Sequence, residues 1–404
     1  MLKRINWPRL RLDQIGSFKN GINKSAIHFG SGYPFVNLMD VFGKNAIGKQ
    51  ALSLVESTEQ ERKDFNLQAG DVLFVRSSVK PSGVGQATVV LANLEDTVFS
   101  GFLIRFRDMG QFDLVFKRYC FDEDSFRSAL LKRSTVSAHT NINQGALSGM
   151  EISVPPLSEQ RRIAEVLRTW DEAIEKAERL IAKKTIEFNH WSHALLTGRR
   201  RVGPNRSNWQ SVPLTEVTLE ATARNGGGQL DTSAVMGVHK LHGMIPMKDH
   251  VRAADLSRYK IVRQGAFAYN PMRLNIGSIA QNNHGRDVLV SPDYVAFEAR
   301  PESLMPAYFD HIRRTPMWSR FVRSAGSGGV RIRIYYDDLT DFILERPPID
   351  EQARLVEVLD TGRREIEIIE RQRDALIRQK RGLMQKLLTG EWAIKVPDSY
   401  EAAE

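Results

Sequence analysis

The sequence predicts an α+β protein: two similar mixed α/β lobes joined by two long helices packed as an antiparallel coiled coil, with pseudo-two-fold symmetry. Three observations predict it. First, a block recurs at a constant offset. Pro155-Pro156-Leu157-Ser158-Glu159-Gln160 returns 192 residues later as Pro347-Pro348-Ile349-Asp350-Glu351-Gln352, and Leu195-Leu196-Thr197-Gly198 returns at the same distance as Leu387-Leu388-Thr389-Gly390. A period this long marks duplicated domains rather than a solenoid. Second, each block follows a long stretch of short β-type runs cut by Gly, Ser and Pro. Third, the apolar residues within each block keep heptad spacing.

The first variable stretch covers residues 1–154. Asp71-Val72-Leu73-Phe74-Val75, Ala87-Thr88-Val89-Val90-Leu91 and Phe102-Leu103-Ile104-Arg105-Phe106 read as strands, and helices are expected around Phe112 to Tyr119 and Asp124 to Leu131. The second variable stretch, 206–346, repeats the order of parts. Gln264 to Tyr269 answers Ala69 to Phe74, Ile276 to Ala280 answers Val84 to Thr88, and Leu339 to Leu344 answers Leu147 to Ile152. Trp7 leads into Leu10 and Ile15 as Trp209 leads into Leu214 and Val217.

The helical blocks cover 155–205 and, with a C-terminal tail, 347–404. The paired prolines disfavour helix before them, Ser158 and Asp350 are N-cap candidates, and Glu159 and Glu351 put negative charge in the first turn. The seam of the first block is Ile163, Leu167, Trp170, Ile174, Ala177, Ile181, Phe188, Trp191 and Leu195. That of the second is Leu355, Leu359, Ile366, Ile369, Leu376, Leu383 and Leu387. Lys184, Arg373 and Lys380 interrupt the seams where the other block is apolar, and Gly362 replaces Trp170. Such interruptions predict unlike helices packing on each other, with Trp170 a candidate to fill the space above Gly362, although an antiparallel pair does not require the two to meet. A block of about 40 residues makes at most about 60 Å of helix.

A net charge of +9 and a pI near 9.6 favour a polyanionic partner. The single cysteine, Cys120, excludes an intrachain disulfide and a Cys-based zinc site, and it fits a reducing, cytoplasmic setting. No signal-peptide stretch and no bilayer-length apolar run occurs, so no membrane partner is expected. Catalytic motifs are wanting. Gly326-Ser327-Gly328-Gly329-Val330 lacks the lysine of a phosphate loop, and Asn270-Pro271-Met272 lacks the second proline and aromatic of an amino-methyltransferase site. Pro292-Asp293 followed by Glu298-Ala299-Arg300 only faintly resembles a nuclease core, and no metal site is expected.

What is present is the chemistry of DNA reading. Arg76, Ser78 and Lys80 directly follow a strand, and Asn270, Arg273 and Asn275 occupy the matching loop. Arg and Lys can pair with guanine O6 and N7, and Asn with adenine N6 and N7. A second pair of loops carries His139 and Asn141, and Arg331 and Arg333; the latter two are expected on one face of a strand. Lys132, Arg133, Arg313 and Arg314 suit phosphates, which position without specifying. Arg199-Arg200-Arg201 suits either a phosphate or a helix end.

The duplicated P-P-[LI]-x-E-Q-x-x-[IL]-[AV]-E-V-L block, ending in L-L-T-G after each variable stretch, resembles the specificity subunit of Type I restriction–modification systems along essentially the whole chain. The resemblance implies a non-catalytic subunit. The two variable stretches become target recognition domains, each binding one half of a split sequence on double-stranded DNA. The helices set the gap and dock methyltransferase subunits, in two copies, and a restriction subunit can join. S-adenosylmethionine, ATP and Mg are then expected in those partner subunits, with no cofactor in this chain. The recognition residues named above rest on residue type and on the repeat. A self-contained enzyme and a helical scaffold without DNA readout are the alternatives.

Overall fold

The computed structural model describes residues 5–136, 139–203, 208–247, 255–325 and 333–394. Five helices carry the architecture: α1 (Asp124–Arg133), α2 (Leu157–Leu196), α3 (Pro306–Ile312), α4 (Pro316–Ser324) and α5 (Ile349–Leu388). The chain divides into two compact units, residues 1–177 with 372–404, and residues 178–371. Each unit therefore holds one variable stretch, half of α2 and half of α5. No described helix is long and apolar enough to cross a membrane.

Unit 1 is built on a five-stranded sheet of β1 (Gly16–Asn20), β2 (Ala46–Ile47), β3 (Val72–Val75), β4 (Ala87–Val90) and β5 (Leu103–Asp108), in the order β1-β5-β3-β4-β2. The run Val72–Val75 is buried at every position, as expected of a central strand covered on both faces. One face packs Phe74, Phe106, Phe121 and Phe126 into a core that takes in Ile163, Leu167 and Leu387 from the long helices. Of the two helices expected before residue 132, Asp124–Arg133 forms as α1, whereas the first shrinks to Lys117–Cys120.

Unit 2 repeats the plan with β6 (Thr218–Glu220), β7 (Phe267–Tyr269), β8 (Ile279–Gln281) and β9 (Val295–Ala299), in the order β6-β9-β7-β8. Its core gathers Phe267, Phe297, Phe309 and Trp318 around Leu195, Leu355 and Leu359. In both units the start of the variable stretch pairs with its end: Leu10 faces Ile152, and Val212 faces Leu344, 192 residues beyond Ile152.

The helices pair in both units. In unit 1 the first half of α2 lies with the second half of α5, where Lys380 binds Asp171. In unit 2 the second half of α2 lies with the first half of α5, where Lys184 meets Glu365 at 2.7 Å. The pairing is thus antiparallel, and two polar interruptions of the seam are ion pairs between helices. Seam residues near the helix ends, Ile163, Leu167, Leu195, Leu355, Leu359 and Leu387, are buried in the unit cores. Trp170, Ile174, Ile181, Phe188, Ile366, Ile369, Leu376 and Leu383 are half-buried, as a two-helix seam allows.

Two expectations change. Ser158 and Asp350 are not N-caps, because α2 and α5 begin one residue earlier at Leu157 and Ile349. Pro156 and Pro348 accept the first turn instead, through their carbonyls, from the Gln160 and Gln352 amides at 2.9 Å each. Nor does Trp170 cover Gly362. A Cβ at Gly362 would lie 2.6 Å from Trp191 Cζ2 and 2.9 Å from Phe188 Cδ2, so those two rings of α2 take the space.

The repeated motifs acquire a physical meaning. Gln160 accepts from the Asp113 amide at 2.8 Å and donates to the carbonyls of Gln111 and Pro155. Gln352 accepts from the Met305 amide at 2.8 Å and donates to Ser303 and Pro347. Every partner is displaced by 192 residues. Trp7 donates to Glu159 at 3.3 Å and lies beside Gly390; Trp209 donates to Glu351 at 2.9 Å and lies beside Gly198. Each tryptophan thereby ties the start of one long helix to the end of the other. Gly198 and Gly390 have φ of +69° and +68°, the left-handed conformation in which helices commonly end on glycine.

Candidate nucleic-acid interface

In unit 1, β3 runs into Arg76 and then a two-residue strand, Ser77–Ser78, which pairs with Thr140–Asn141; that in turn pairs with Thr135–Val136. The two loops singled out in the sequence are therefore adjacent. The Ile142 amide donates to the Arg76 carbonyl at 2.9 Å and fixes them together. Arg76 sends Nη1 to the Gly101 carbonyl at 3.3 Å and is half-buried. Ser78 is buried as a residue, at 8% exposure. Lys80 and His139 are exposed, and Asn141 uses one amide hydrogen on the His139 carbonyl at 3.0 Å. Around them stand Val79 and Phe102, 74% and 56% exposed, apolar surface of the kind that meets a thymine methyl. Lys132 and Arg133 are exposed at the end of α1, with Arg133 reaching the Ala146 carbonyl at 3.5 Å.

Unit 2 brings its own loop pair together by the same device. The Ile334 amide donates to the Pro271 carbonyl at 3.2 Å, and Ile334 lies 192 residues after Ile142. The loops border a cleft of about 500 Å³ lined by Met272, Lys260, Glu220, Asp293, Arg333 and Tyr335, among others. Arg333 is exposed and donates to the Tyr335 hydroxyl at 3.3 Å. Burial lowers the pKa of Lys260, and Glu220, 4.0 Å away, works against that shift. Asn270 turns its Oδ1 onto the Met272 amide at 3.0 Å, while Arg273 and Asn275 are exposed. Arg331 lies outside the described residues. Arg333 and Ile334 are irregular backbone rather than the strand expected for them.

The four cations expected at phosphates fare differently. Arg313 is spent within the fold: its guanidinium binds Asp310 and the Ile279 carbonyl, and its side chain is 12% exposed. Arg314 shares Asp310 but is 48% exposed. Burial alone would raise the Asp310 pKa; Arg313, Arg314 and Arg363 outweigh it and hold the carboxyl below its usual range. Arg201, from the run at 199–201, pairs with Glu351 at 3.1 Å and covers the Trp209 ring, so it serves the helix junction. Sequence reasoning missed Lys260, which reaches the cleft from a strand distant in the chain, Tyr335, two residues beyond Arg333, and Lys240, in a turn beside Gly277.

Residues 5–183 match the family model described as Type I restriction modification DNA specificity domain. The chain is 21% identical over 414 aligned positions to the putative type I restriction enzyme MjaX specificity subunit of Methanocaldococcus jannaschii, covering 95% of this chain and 92% of that one. In fold it is similar to the S subunit of a Type I restriction-modification system from M. genitalium, at TM-score 0.53 and 11% identity over 97% of both chains. It is similar also to a chain from a structure describing complex assembly and conformational transition of the type I R-M system, at TM-score 0.56 and 16% identity, over 96% of this chain and 100% of that one.

Proposed function

We propose that this chain, a member through its residues 5–183 of the Type I restriction modification DNA specificity family, reads a two-part DNA target with the loop pairs of its two units. It is a specificity subunit and does no chemistry of its own. The repeated tie, Ile142 to Arg76 and Ile334 to Pro271, supports this reading most: both units hold side chains suited to base edges at one place in one fold. Arg76, Lys80, His139 and Asn141 serve one half-site; Asn270, Arg273 and Arg333 serve the other. The paired halves of α2 and α5 set the gap between half-sites and dock the methyltransferase subunits.

In this reading two methyltransferase copies bind, one for each copy of the helical block, and a restriction subunit joins that assembly. S-adenosylmethionine, ATP and Mg belong to those partners, and the complex works in the cytoplasm. The test is DNA binding by the chain with its methyltransferase partner. Binding should weaken steeply with salt, as released counterions require. Asn141→Ala should relax base preference in one half-site and Arg333→Ala in the other. Affinity insensitive to salt, or base preference untouched by both variants, would refute the proposal.

A further inference from the structure

We infer that a basic concavity on unit 2 holds one backbone phosphate of the DNA, and that the described residues of unit 1 form no equivalent. The inference rests on the DNA-recognition reading above. The concavity encloses about 330 Å³, and Lys240, Asn275, Arg313, Arg314 and Arg323 line it with no carboxylate among the lining residues. It shares a wall with the cleft of the same unit: Pro271 and Met272 line the cleft, and the next turn, Leu274 to Gly277, lines the concavity. A phosphate held here would sit one short loop away from the side chains that meet bases.

The site is shaped by backbone as well as charge. Gly277 has φ of +92°, and a Cβ there would lie 3.4 Å from Lys240 Cγ. The lysine stem is thus seated against a residue with no side chain, in a conformation that favours glycine. Arg313 and Arg314 both lean on Asp310, which also meets Arg363, so three guanidiniums share one carboxylate and leave positive charge in excess. Lys240, Asn275, Arg314 and Arg323 are exposed, and an anion can reach them.

Unit 1 closes the same place. Twelve residues separate the paired Phe74 and Ala87, but only nine separate the paired Tyr269 and Ile279. The longer loop of unit 1 is filled from below by Arg127, which donates to the carbonyls of Ser82, Val84 and Gly85. Ser319 stands where Arg127 would be in unit 2, and Asp122 and Leu131 occupy the places of Arg314 and Arg323. A shortened loop and a lost arginine open the concavity, and the charge at its rim changes from negative or neutral to positive.

The double variant Lys240→Gln, Arg323→Gln of the full chain, bound to its methyltransferase partner, tests this. Both side chains are exposed, and thermal melting verifies the fold. Removing one phosphate contact should lower the slope of log K against log salt by about one and weaken binding about tenfold near 0.1 M salt, without changing base preference. Neutral methylphosphonate placed at successive phosphates should weaken the wild type, but not the variant, at one position in the half-site of unit 2. An unchanged slope in the variant, with a steep wild-type slope, would overturn the inference and leave the DNA-recognition reading intact. A wild type that binds no DNA would remove both. Inorganic phosphate at sub-millimolar concentration protecting the wild type and not the variant would make this a free-anion site and overturn the assignment to DNA.

Discussion

At Gly362 two effects oppose each other. Alanine in a helix interior is favoured over glycine by about 1 kcal/mol. Here its Cβ would press on Trp191 and Phe188 at under 3.0 Å. Overpacking costs about 1–3 kcal/mol, so packing wins and Gly362→Ala should destabilise unit 2. Gly382 lies on the same helix with nothing within 4 Å of an added Cβ. Gly382→Ala should therefore stabilise by about 0.5–1 kcal/mol. Urea denaturation midpoints moving the same way in both variants would contradict this. The sequence marked Gly362 as a partner for something large and named Trp170. In an antiparallel pair the facing rung is counted from the other helix end, which is why Trp191 and Phe188 are there instead.

His311 gives a pH dependence. Its ring is 3% exposed, with Nε2 2.8 Å from Asp360 Oδ1 and Nδ1 3.2 Å from Arg363 Nη2. An arginine can only donate, so Nδ1 accepts and the neutral ring is the one that fits. Burial and then Arg363 lower its pKa, against the pull of Asp360. With the folded pKa below the unfolded one, the stabilisation is full above about pH 6.5 and is lost as pH falls below that value towards the folded pKa. His311→Tyr, which installs the residue found 192 positions earlier at Tyr119, should flatten the stability profile of unit 2 just below pH 6.5. Identical slopes in variant and wild type would exclude His311 as the source.

At the scale of elements, the long helices were legible because a heptad seam leaves an unmistakable spacing. Their starts were not. The glutamate of the repeated motif read as first-turn charge and the glutamine only as part of the repeat, yet Gln160 and Gln352 are fully buried. Their bonds to backbone groups about 50 residues away carry no local signature. Gln160→Ala would strand the Asp113 amide and two carbonyls, at a cost of about 2 kcal/mol or more. Hydrogen exchange should then quicken around Asp113 and the start of α2, with unit 2 unaffected; Gln352→Ala should do the converse. Faster exchange throughout both units would show that the two staples are not local. The recognition loops were legible only as residue types. Arg313 looked like a phosphate contact, and Arg201 like either a phosphate contact or a helix end, because a sequence does not show that Asp310 or Glu351 will fold against them.

For the whole molecule, duplication is the governing fact. The same order of four strands, the same loop tie and the same tryptophan junction occur twice, while the exposed loop residues differ. Two unlike readers on one repeated frame should act independently. Mapping methylated bases across a genome, with this chain and a methyltransferase subunit co-expressed, tests that most directly when residues 206–346 are then exchanged for the corresponding stretch of a Type I specificity subunit. The expected result is an asymmetric two-part motif in which the exchange rewrites one half and leaves the other half and the gap as they were. A continuous motif, or an exchange that alters both halves, would contradict it.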